Sequence, residues 1–244
     1  MRLELLSAMN AARAARRAAI LVTDVAPGDQ RLVMGEDVAA DTMSAVLEPA
    51  LRSGKSGTVE HDGKSWFLTV QTPPVRLIVI GAVHISQALA PMAKVAGLDM
   101  TIIDPRTAFA TPERFPEVNL IAEWPQNILQ GQAANSIKLD RYTAMACFTH
   151  DPKIDDPALE AALSAECFYV GALGSRKTHA RRVERLNSLG FSQDAIGRIR
   201  APIGLDIGAV SPAEIAVSVL GEVILALRKK PLRVAADAPA GVAA

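Results

Sequence analysis

The stretch that most constrains the fold is residues 75–106, VRLIVIGAVHISQALAPMAKVAGLDMTIIDPR. Residues 75–80 form a short, β-branched apolar run, and Gly81 separates this run from a segment whose apolar residues recur at helical spacing. Gly97 ends the predicted helix, and residues 98–103 form a second apolar run. Because a continuously apolar strand is buried on both faces, the pattern predicts the opening βαβ unit of a doubly wound parallel sheet.

The glycine turn after the first strand bears on what this unit can bind. Dinucleotide-binding folds place three glycines here and an acidic residue about 20 positions further on to hold the ribose. This chain has Gly81, and Asp104 lies near the expected distance, but Val83 and Ser86 occupy the other two glycine positions. The N-terminus of the predicted helix, near His84, still offers amide donors to an anion, with Ser86 as a candidate hydroxyl donor. Both an anion site and a βα turn without a ligand fit this pattern.

Composition excludes several classes of protein. Half of the 244 residues are apolar, which is enough for a sizeable core. Two cysteines, Cys147 and Cys167, make no disulfide framework and no metal cluster, and they favour a reducing compartment, the cytoplasm. Lys and Arg number 26, as do Asp and Glu, without a long block of one sign, so nucleic acid is not expected as a partner. No apolar run approaches the roughly 20 residues of a membrane span.

Two adjacent prolines, Pro73 and Pro74, form a stiff linker and mark a domain boundary. They divide the chain into a small α+β domain, residues 1–72, and a Rossmann-like parallel-sheet α/β domain, residues 73–230. An Ala- and Pro-rich tail, residues 231–244, is predicted to be disordered. The elements predicted in the first domain are a helix at 3–17, a strand at 18–25, a helix at 41–52 and a hairpin pairing 58–60 with 65–70.

Polar residues gather directly after the predicted strands of the second domain. Ligands of an open parallel sheet bind beyond the carboxyl ends of its strands, so these residues are expected to meet at one edge. Cations near two helix N-termini suit a phosphate-bearing ligand. These cations are Arg106, Lys153, Arg176 and Arg182. The candidate cofactor-binding residues, none of them assigned a catalytic role, are Gly81, His84, Ser86, Asp104, Arg106, His150, Asp151, Lys153, Gly171, Gly174, Ser175, Arg176, His179 and Asp206.

Some of these segments also have structural interpretations. His150 and Asp151 could form only a turn before a helix that Asp155 or Asp156 caps, with Pro157 near its first turn. The basic run after Arg176 favours a mostly solvated helix face, on which Arg185 pairs with neighbouring acids. That run consists of Arg181, Arg182, Glu184 and Arg185.

The last third of the chain predicts a loop and a long helix. Residues 201–208 alternate glycine with apolar residues, which is typical of a rigid loop, and this loop would project Asp206. Ser211 and Glu214 have capping-box spacing, so a helix is expected over residues 212–229. Its predicted core-facing residues are Ile215, Val219, Ile224 and Leu227.

Four ordered motifs together point to a known family. They are DPR at 104–106, THDPKIDDPAL at 149–159, FYVGALGSRKTHARR at 168–182 and RIRAPIGLDIGAVSPAEIAVSVLGEVI at 198–224. The chain resembles the XdhC/CoxI family of xanthine dehydrogenase and carbon monoxide dehydrogenase accessory proteins over about residues 74–228. Val83 stands where the usual glycine turn of that family, GxGH, has its second glycine.

The resemblance implies a Rossmann-like domain in a protein that binds molybdenum cofactor (molybdopterin). It further implies a chaperone that supports sulfuration of the cofactor with a cysteine desulfurase and delivers it to the large subunit of an apo-molybdoenzyme, and a homodimer. Two other functions stay open at this point. One is an NAD(P)-binding Rossmann oxidoreductase or nucleotide sensor, and the other is an adaptor that binds neither ligand.

Overall fold

A computed structural model describes residues 2–130 and 135–228 of the chain. The described residues separate into two compact units that meet in sequence at Pro73 and Pro74. The tail for which disorder is predicted, residues 231–244, lies outside the described residues.

The first unit is an antiparallel four-stranded sheet with helices, in the strand order β2-β1-β4-β3. Ile20 and Val22 on the central strand pack with Leu47 and Leu68, and all four side chains are buried. The elements are α1 (Leu3–Ala14), β1 (Ala19–Asp24), β2 (Gln30–Met34), a 3-10 helix (Val38–Ala40), α2 (Ser44–Ser53), β3 (Gly57–His61) and β4 (Lys64–Gln71).

The sequence pattern predicted the hairpin of β3 and β4, and the structure confirms it. Asp62 and Gly63 form its turn, both with φ in the left-handed region. Strand β2 was missed. It lies at the edge of the sheet, where only Val33 among its residues is buried, and its three consecutive apolar residues make a shorter run than that of an interior strand such as β5.

The second unit is a parallel six-stranded sheet in the order β10-β9-β8-β5-β6-β7, with helices on both faces. This architecture confirms the predicted Rossmann-like α/β fold. The elements are β5 (Arg76–Ile80), α3 (His84–Val95), β6 (Asp99–Ile103), β7 (Asn119–Ile121), α4 (Pro125–Leu129), β8 (Thr143–Cys147), α5 (Pro152–Ser164), β9 (Tyr169–Ala172), α6 (Arg176–Ser188), α7 (Gln193–Ile196), β10 (Ile199–Arg200) and α8 (Pro212–Arg228).

Strand β5 is buried on both faces, as its continuous apolar run predicts. Leu77 and Val79 belong to a core cluster that includes residues of α3 and α8. Ile78 and Ile80 belong to the cluster on the opposite face, with residues of α4, α5 and α6. Since alternate side chains of a strand point to opposite faces, a two-sided core requires apolar residues at every position of this strand.

The strand order places a topological switch point beside β5. The chain passes from β5 to β6 on one side, and later adds β8 on the other side. Ligands of open α/β sheets bind in the crevice that such a reversal leaves outside the carboxyl ends of the strands. For this sheet the crevice lies between the ends of β5 and β8.

Two predictions about helices need correction. Helix α5 begins at Pro152 with Asp151 as its N-cap, so the expected cap at Asp155 or Asp156 was wrong. The signal for the earlier start was Pro152, because proline suits the first helical position and this proline lies three residues before Asp155. On α8, Val219 is buried as predicted, but Ile224 is exposed.

The start of α8 matches its prediction. The Glu214 carboxylate accepts hydrogen bonds from the backbone N–H of Ser211 at 2.9 Å and of Val210 at 2.8 Å. The backbone N–H of Glu214 donates in turn to the Ser211 hydroxyl at 3.3 Å. This reciprocal pair is the capping box that the spacing of the two residues indicated.

Candidate functional site

The glycine turn at the end of β5 closely approaches the loop after β8. Gly81 has φ of +114°, a conformation that favours glycine. A Cβ added at Gly81 would lie 2.9 Å from Cγ2 of Thr149, closer than such atoms normally come. The backbone N–H that follows, that of Ala82, donates to Oδ2 of Asp104 at 2.7 Å. The turn is therefore held from both sides at the switch point.

Asp104 is fully buried and forms a two-pronged ion pair with Arg106. Arg106 donates from Nε to Oδ1 at 2.9 Å and from Nη2 to Oδ2 at 2.8 Å. Burial raises the pKa of Asp104, but the hydrogen bonds from Arg106 and from the N–H of Ala82 outweigh burial, so the pKa lies below its ordinary value. The carboxylate expected for a ribose is thus engaged inside the protein.

His84 and Ser86 differ in exposure although both lie in the first turn of α3. His84 is exposed at the first position of the helix. Ser86 is fully buried, and its hydroxyl donates to the backbone carbonyl of Gly81. Ser86 therefore stabilises the turn from within, and its hydroxyl is not presented to a ligand in this structure.

Asp155 holds the loop between β8 and α5. Its buried carboxylate accepts from the hydroxyl of Thr149 at 2.7 Å and from the backbone N–H of His150 at 3.1 Å. His150 adopts φ of +62°, which is uncommon for a residue with a side chain. Burial raises the pKa of Asp155. Asp151 caps α5 by accepting from the N–H of Lys153 at 2.9 Å.

The turn after β9 adjoins this loop. Gly174 has φ of +137°, and a Cβ there would lie 3.7 Å from Nδ1 of His150. Ser175 is the N-cap of α6, and its hydroxyl accepts from the N–H of Thr178 at 3.2 Å. Gly171 faces the interior instead, since a Cβ there would lie 2.6 Å from Cδ1 of Ile203.

These contacts bring three loops together. The turn at Gly81 meets Thr149, and His150 meets Gly174, so the ends of β5, β8 and β9 adjoin one another. The hydrogen bond with Asp104 is the main cause that raises the pKa of Arg106, and the charges of Asp151 and Asp155 raise it further. The predicted meeting of strand ends is thus seen for these loops.

Among the other predicted residues, Lys153, Arg176 and Asp206 are exposed, and Asp206 forms no hydrogen bond or ion pair with another described residue.

A cavity of about 540 Å³ adjoins the same loops, between α5 and α6. Its charged lining residues are Asp155, Asp156, Lys177, Arg181, Arg182 and Arg185. Arg185 pairs with Asp156, as the sequence predicted, and one of their hydrogen bonds measures 3.0 Å.

Arg182 is only 2% exposed, so the expectation of a mostly solvated helix face was wrong for this residue. His179 lies nearby, and burial followed by the charge of Arg182 lowers its pKa. The signal for the burial of Arg182 was present in the spacing. Arg182 lies four residues before Leu186, the other buried residue of α6, which places the two on one helix face.

The described residues hold no cluster of three or more His, Cys, Asp or Glu side chains suited to a metal ion. In the same part of the chain, no helix has the length and apolarity to cross a membrane.

Comparison with known proteins decides the family. The family model described as the XdhC Rossmann domain matches residues 77–223, which span the parallel sheet and its crevice. The chain belongs to the XdhC family. This assignment agrees with the resemblance that the motifs carry.

Three curated relatives match this XdhC-family chain. It is 35% identical over 151 residues to the molybdenum cofactor insertion chaperone PaoD of Escherichia coli, covering 62% of this chain and 40% of that protein. It is 33% identical over 153 residues to a probable subunit of xanthine dehydrogenase from Bacillus subtilis, covering 62% and 43%. It is 30% identical over 167 residues to the uncharacterized protein YqeB of E. coli, covering 68% and 30%. The chain thus spans less than half the length of each.

A solved structure shows the same fold. It is described as a xanthine dehydrogenase from Bacillus halodurans, and the TM-score is 0.63 at 20% sequence identity. The likeness covers 96% of this chain and 66% of that one.

Proposed function

We propose that this chain binds molybdenum cofactor as cargo and assists its sulfuration and its insertion into a molybdoenzyme of the xanthine dehydrogenase or CO dehydrogenase type. Membership of the XdhC family supports the proposal. So do the names of two relatives, a molybdenum cofactor insertion chaperone and a probable subunit of xanthine dehydrogenase.

The observation that carries the proposal is the meeting of loops at the switch point. The turn at Gly81 lies against Thr149, and His150 lies against Gly174, so backbone from three strand ends lines one edge of the sheet. Parallel sheets bind their ligands at this place because the loops there diverge and leave a crevice.

The chemistry of the edge suits an anionic pterin. Molybdopterin carries a terminal phosphate and an anionic dithiolene. Helices α5 and α6 both begin at this edge, and a helix N-terminus attracts negative charge. Lys153 and Arg176 add positive charge at these helix starts, and the partly exposed guanidinium of Arg106, paired with Asp104, adds further hydrogen-bond donors. These residues would hold the cargo by charge and hydrogen bonding, without a covalent step.

The partners in the proposal are the large subunit of the target apo-enzyme, a cysteine desulfurase and a second copy of the chain. The names of two relatives support the molybdoenzyme partner, and the family resemblance supports the desulfurase and the second copy. The cytoplasm is the proposed location on the same ground, together with the low number of cysteines.

The arrangement gives less support to the NAD(P)-dependent alternative. In a dinucleotide fold, the acidic residue after the second strand accepts a hydrogen bond from the ribose. Here Asp104 is fully buried and holds Arg106 and the N–H of Ala82. A ribose could use this carboxylate only by displacing those partners.

Retention of pterin by the purified full chain tests the proposal. Protein purified anaerobically from cells that make the cofactor is expected to carry near-stoichiometric molybdopterin, measured by fluorescence of the oxidised pterin. The chain is also expected to raise the activity of an apo-xanthine dehydrogenase in reconstitution. Arg176→Ala should lower retention, because it removes a positive charge at the start of α6. Arg52→Ala, an exposed arginine of the first unit, should leave retention unchanged.

Two results would refute the proposal. One is wild-type protein that carries no pterin after anaerobic purification. The other is binding of NAD(P)H with hydride transfer to an acceptor.

A further inference from the structure

Arg182 is a buried cation whose hydrogen bonds are incomplete. Its Nη2 donates to the backbone carbonyl of Leu173 at 3.1 Å. Nε and Nη1 are buried and have no acceptor among the described residues. Buried donors are nearly always satisfied in proteins, and an unsatisfied one costs free energy. An acceptor that is not part of the described chain is therefore expected at Arg182.

The carboxylates beside the cavity are already engaged. Asp155 accepts from the hydroxyl of Thr149 and from the N–H of His150, and it forms no ion pair within 4 Å with Arg182. Asp156 pairs with Arg185. Asp155 still offsets the charge of Arg182 at longer range, since that charge lowers the pKa of Asp155 in part. The charge of Arg182 therefore has a distant counterpart in Asp155, but the donors Nε and Nη1 of Arg182 have no acceptor among the described residues.

More positive charge lies on the same helix face. Arg181 and Lys177, four residues apart on α6, are exposed, line the cavity with Arg182 and form no ion pair with a described residue. The N-terminal end of α6, at Arg176, adds the positive end of the helix dipole. The cavity holds about 540 Å³, against about 30 Å³ for one water molecule in the liquid, so a phosphate group has ample room.

We propose that the cavity between α5 and α6 binds a phosphate group, with the guanidinium of Arg182 as the innermost donor. A phosphate brings oxygens that accept in several directions and carries the negative charge that this helix face lacks. Lys177 and Arg181 complete the site from the mouth of the cavity. The source is either free phosphate or, if the proposed function holds, the terminal phosphate of a pterin.

Isothermal titration calorimetry of the full chain with inorganic phosphate tests the inference, in buffer that contains no other oxyanion. Wild type is expected to show saturable binding at one site. Arg182→Met should weaken binding by about tenfold or more, because it removes charge-assisted hydrogen bonds. Arg181→Met should weaken binding less, and the distant control Arg52→Met should not change it.

Folding of the variants is checked by circular dichroism. Should Arg182→Met fail to fold, Lys177→Met and Arg181→Met still test the site, because both side chains are exposed. Absence of saturable phosphate binding to wild type would overturn the inference. Equal loss of binding in Arg52→Met would also overturn it, since that result means attraction to general positive charge.

A second arm distinguishes the two sources of phosphate. Oxidised pterin is titrated with its phosphate and after treatment with phosphatase. Tighter binding of the phosphorylated form, lost in Arg182→Met, supports the pterin as the source. Binding of phosphate alone supports free phosphate, and it leaves this inference standing if the proposed function fails. Equal binding of the pterin with and without its phosphate, together with no binding of inorganic phosphate, refutes this inference but not the proposed function.

Discussion

Two arginines of the same sheet edge have opposite surroundings. Arg106, after β6, is half-exposed and satisfied, with Asp104 taking two of its hydrogen bonds. Arg182, on the helix after β9, is buried, and its one hydrogen bond to a described residue goes to the carbonyl of Leu173. Arg106 thus belongs to an ion pair that stabilises the fold, whereas Arg182 has two donors without an acceptor among the described residues. Burial alone is therefore a poor guide to the role of a charged residue, and the count of satisfied donors is better.

The largest expected effect lies on the satisfied side of the comparison. Asp104→Ala should lower the free energy of unfolding by about 3 kcal/mol, because it leaves Arg106 and the N–H of Ala82 without their acceptor. Unfolding in urea measures the change. Glu117→Ala breaks the exposed pair with Lys94 and should leave the free energy of unfolding unchanged. Equal effects of the two substitutions would show that the Asp104 pair does not hold the fold.

The turn that this pair fixes should be next in sensitivity. Gly81→Ala is expected to destabilise by about 2 kcal/mol, since alanine at φ of +114° is strained and its Cβ meets Thr149. Thr149→Ser removes the crowding methyl group and should recover part of the loss in the double variant. Gly97→Ala, with φ of +73° and open space around it, should cost about 1 kcal/mol. Lack of recovery in the double variant would contradict the contact at the switch point.

The two buried carboxylates should respond to pH with opposite signs. The pKa of Asp104 is lowered, so its contribution to stability is present above the ordinary value of 3.8 and is lost as the pH falls through the folded-state pKa. The pKa of Asp155 is raised, so its contribution is present below 3.8 and is lost as the pH rises through the folded-state pKa.

Unfolding in urea at a series of pH values, starting near 3, measures both effects. Relative to wild type, Asp155→Asn should gain stability as the pH rises above 3.8, whereas Asp104→Asn should lose stability over the rise through 3.8. The same sign for both variants would contradict the difference between their surroundings.

The smallest effect on stability is expected for the unsatisfied arginine. Arg182→Met should change the free energy of unfolding by less than about 1 kcal/mol in phosphate-free buffer, because replacing a poorly paired buried charge with an apolar side chain is often neutral. Arg185→Met on the same helix should cost more, because it leaves Asp156 without its partner. Arg182→Met should also raise the pKa of Asp155 further, which a carboxyl NMR titration can follow. A loss of unfolding free energy as large as that of Asp104→Ala would show that Arg182 stabilises the fold.

Prediction from sequence worked best for elements with strong local patterns. The apolar run before Gly81, the capping box of Ser211 and Glu214 and the hairpin at Gly63 were all placed correctly. Short or edge elements such as β2, α4 and β10 were missed, since few of their residues carry a periodic signal.

The sequence predicted where the candidate site lies but not which contacts form it. The rule that ligands bind beyond the carboxyl ends of parallel strands located the edge of the sheet. It did not indicate that Ser86 points inward, or that Asp155 organises the loop at Thr149 and His150. Those roles depend on hydrogen bonds that a one-dimensional pattern does not specify.

A parallel sheet with a ligand crevice follows from the order of residues in this chain, because uninterrupted apolar strands joined by amphipathic helices can bury their side chains in few other ways. The pairing of charges follows from packing. Asp156 meets Arg185 across 29 residues of sequence, while Arg182, three positions earlier on the same helix, meets no carboxylate of the described residues within 4 Å. Pairing requires distances of a few ångströms between groups on different elements, and those distances exist only after the helices have packed.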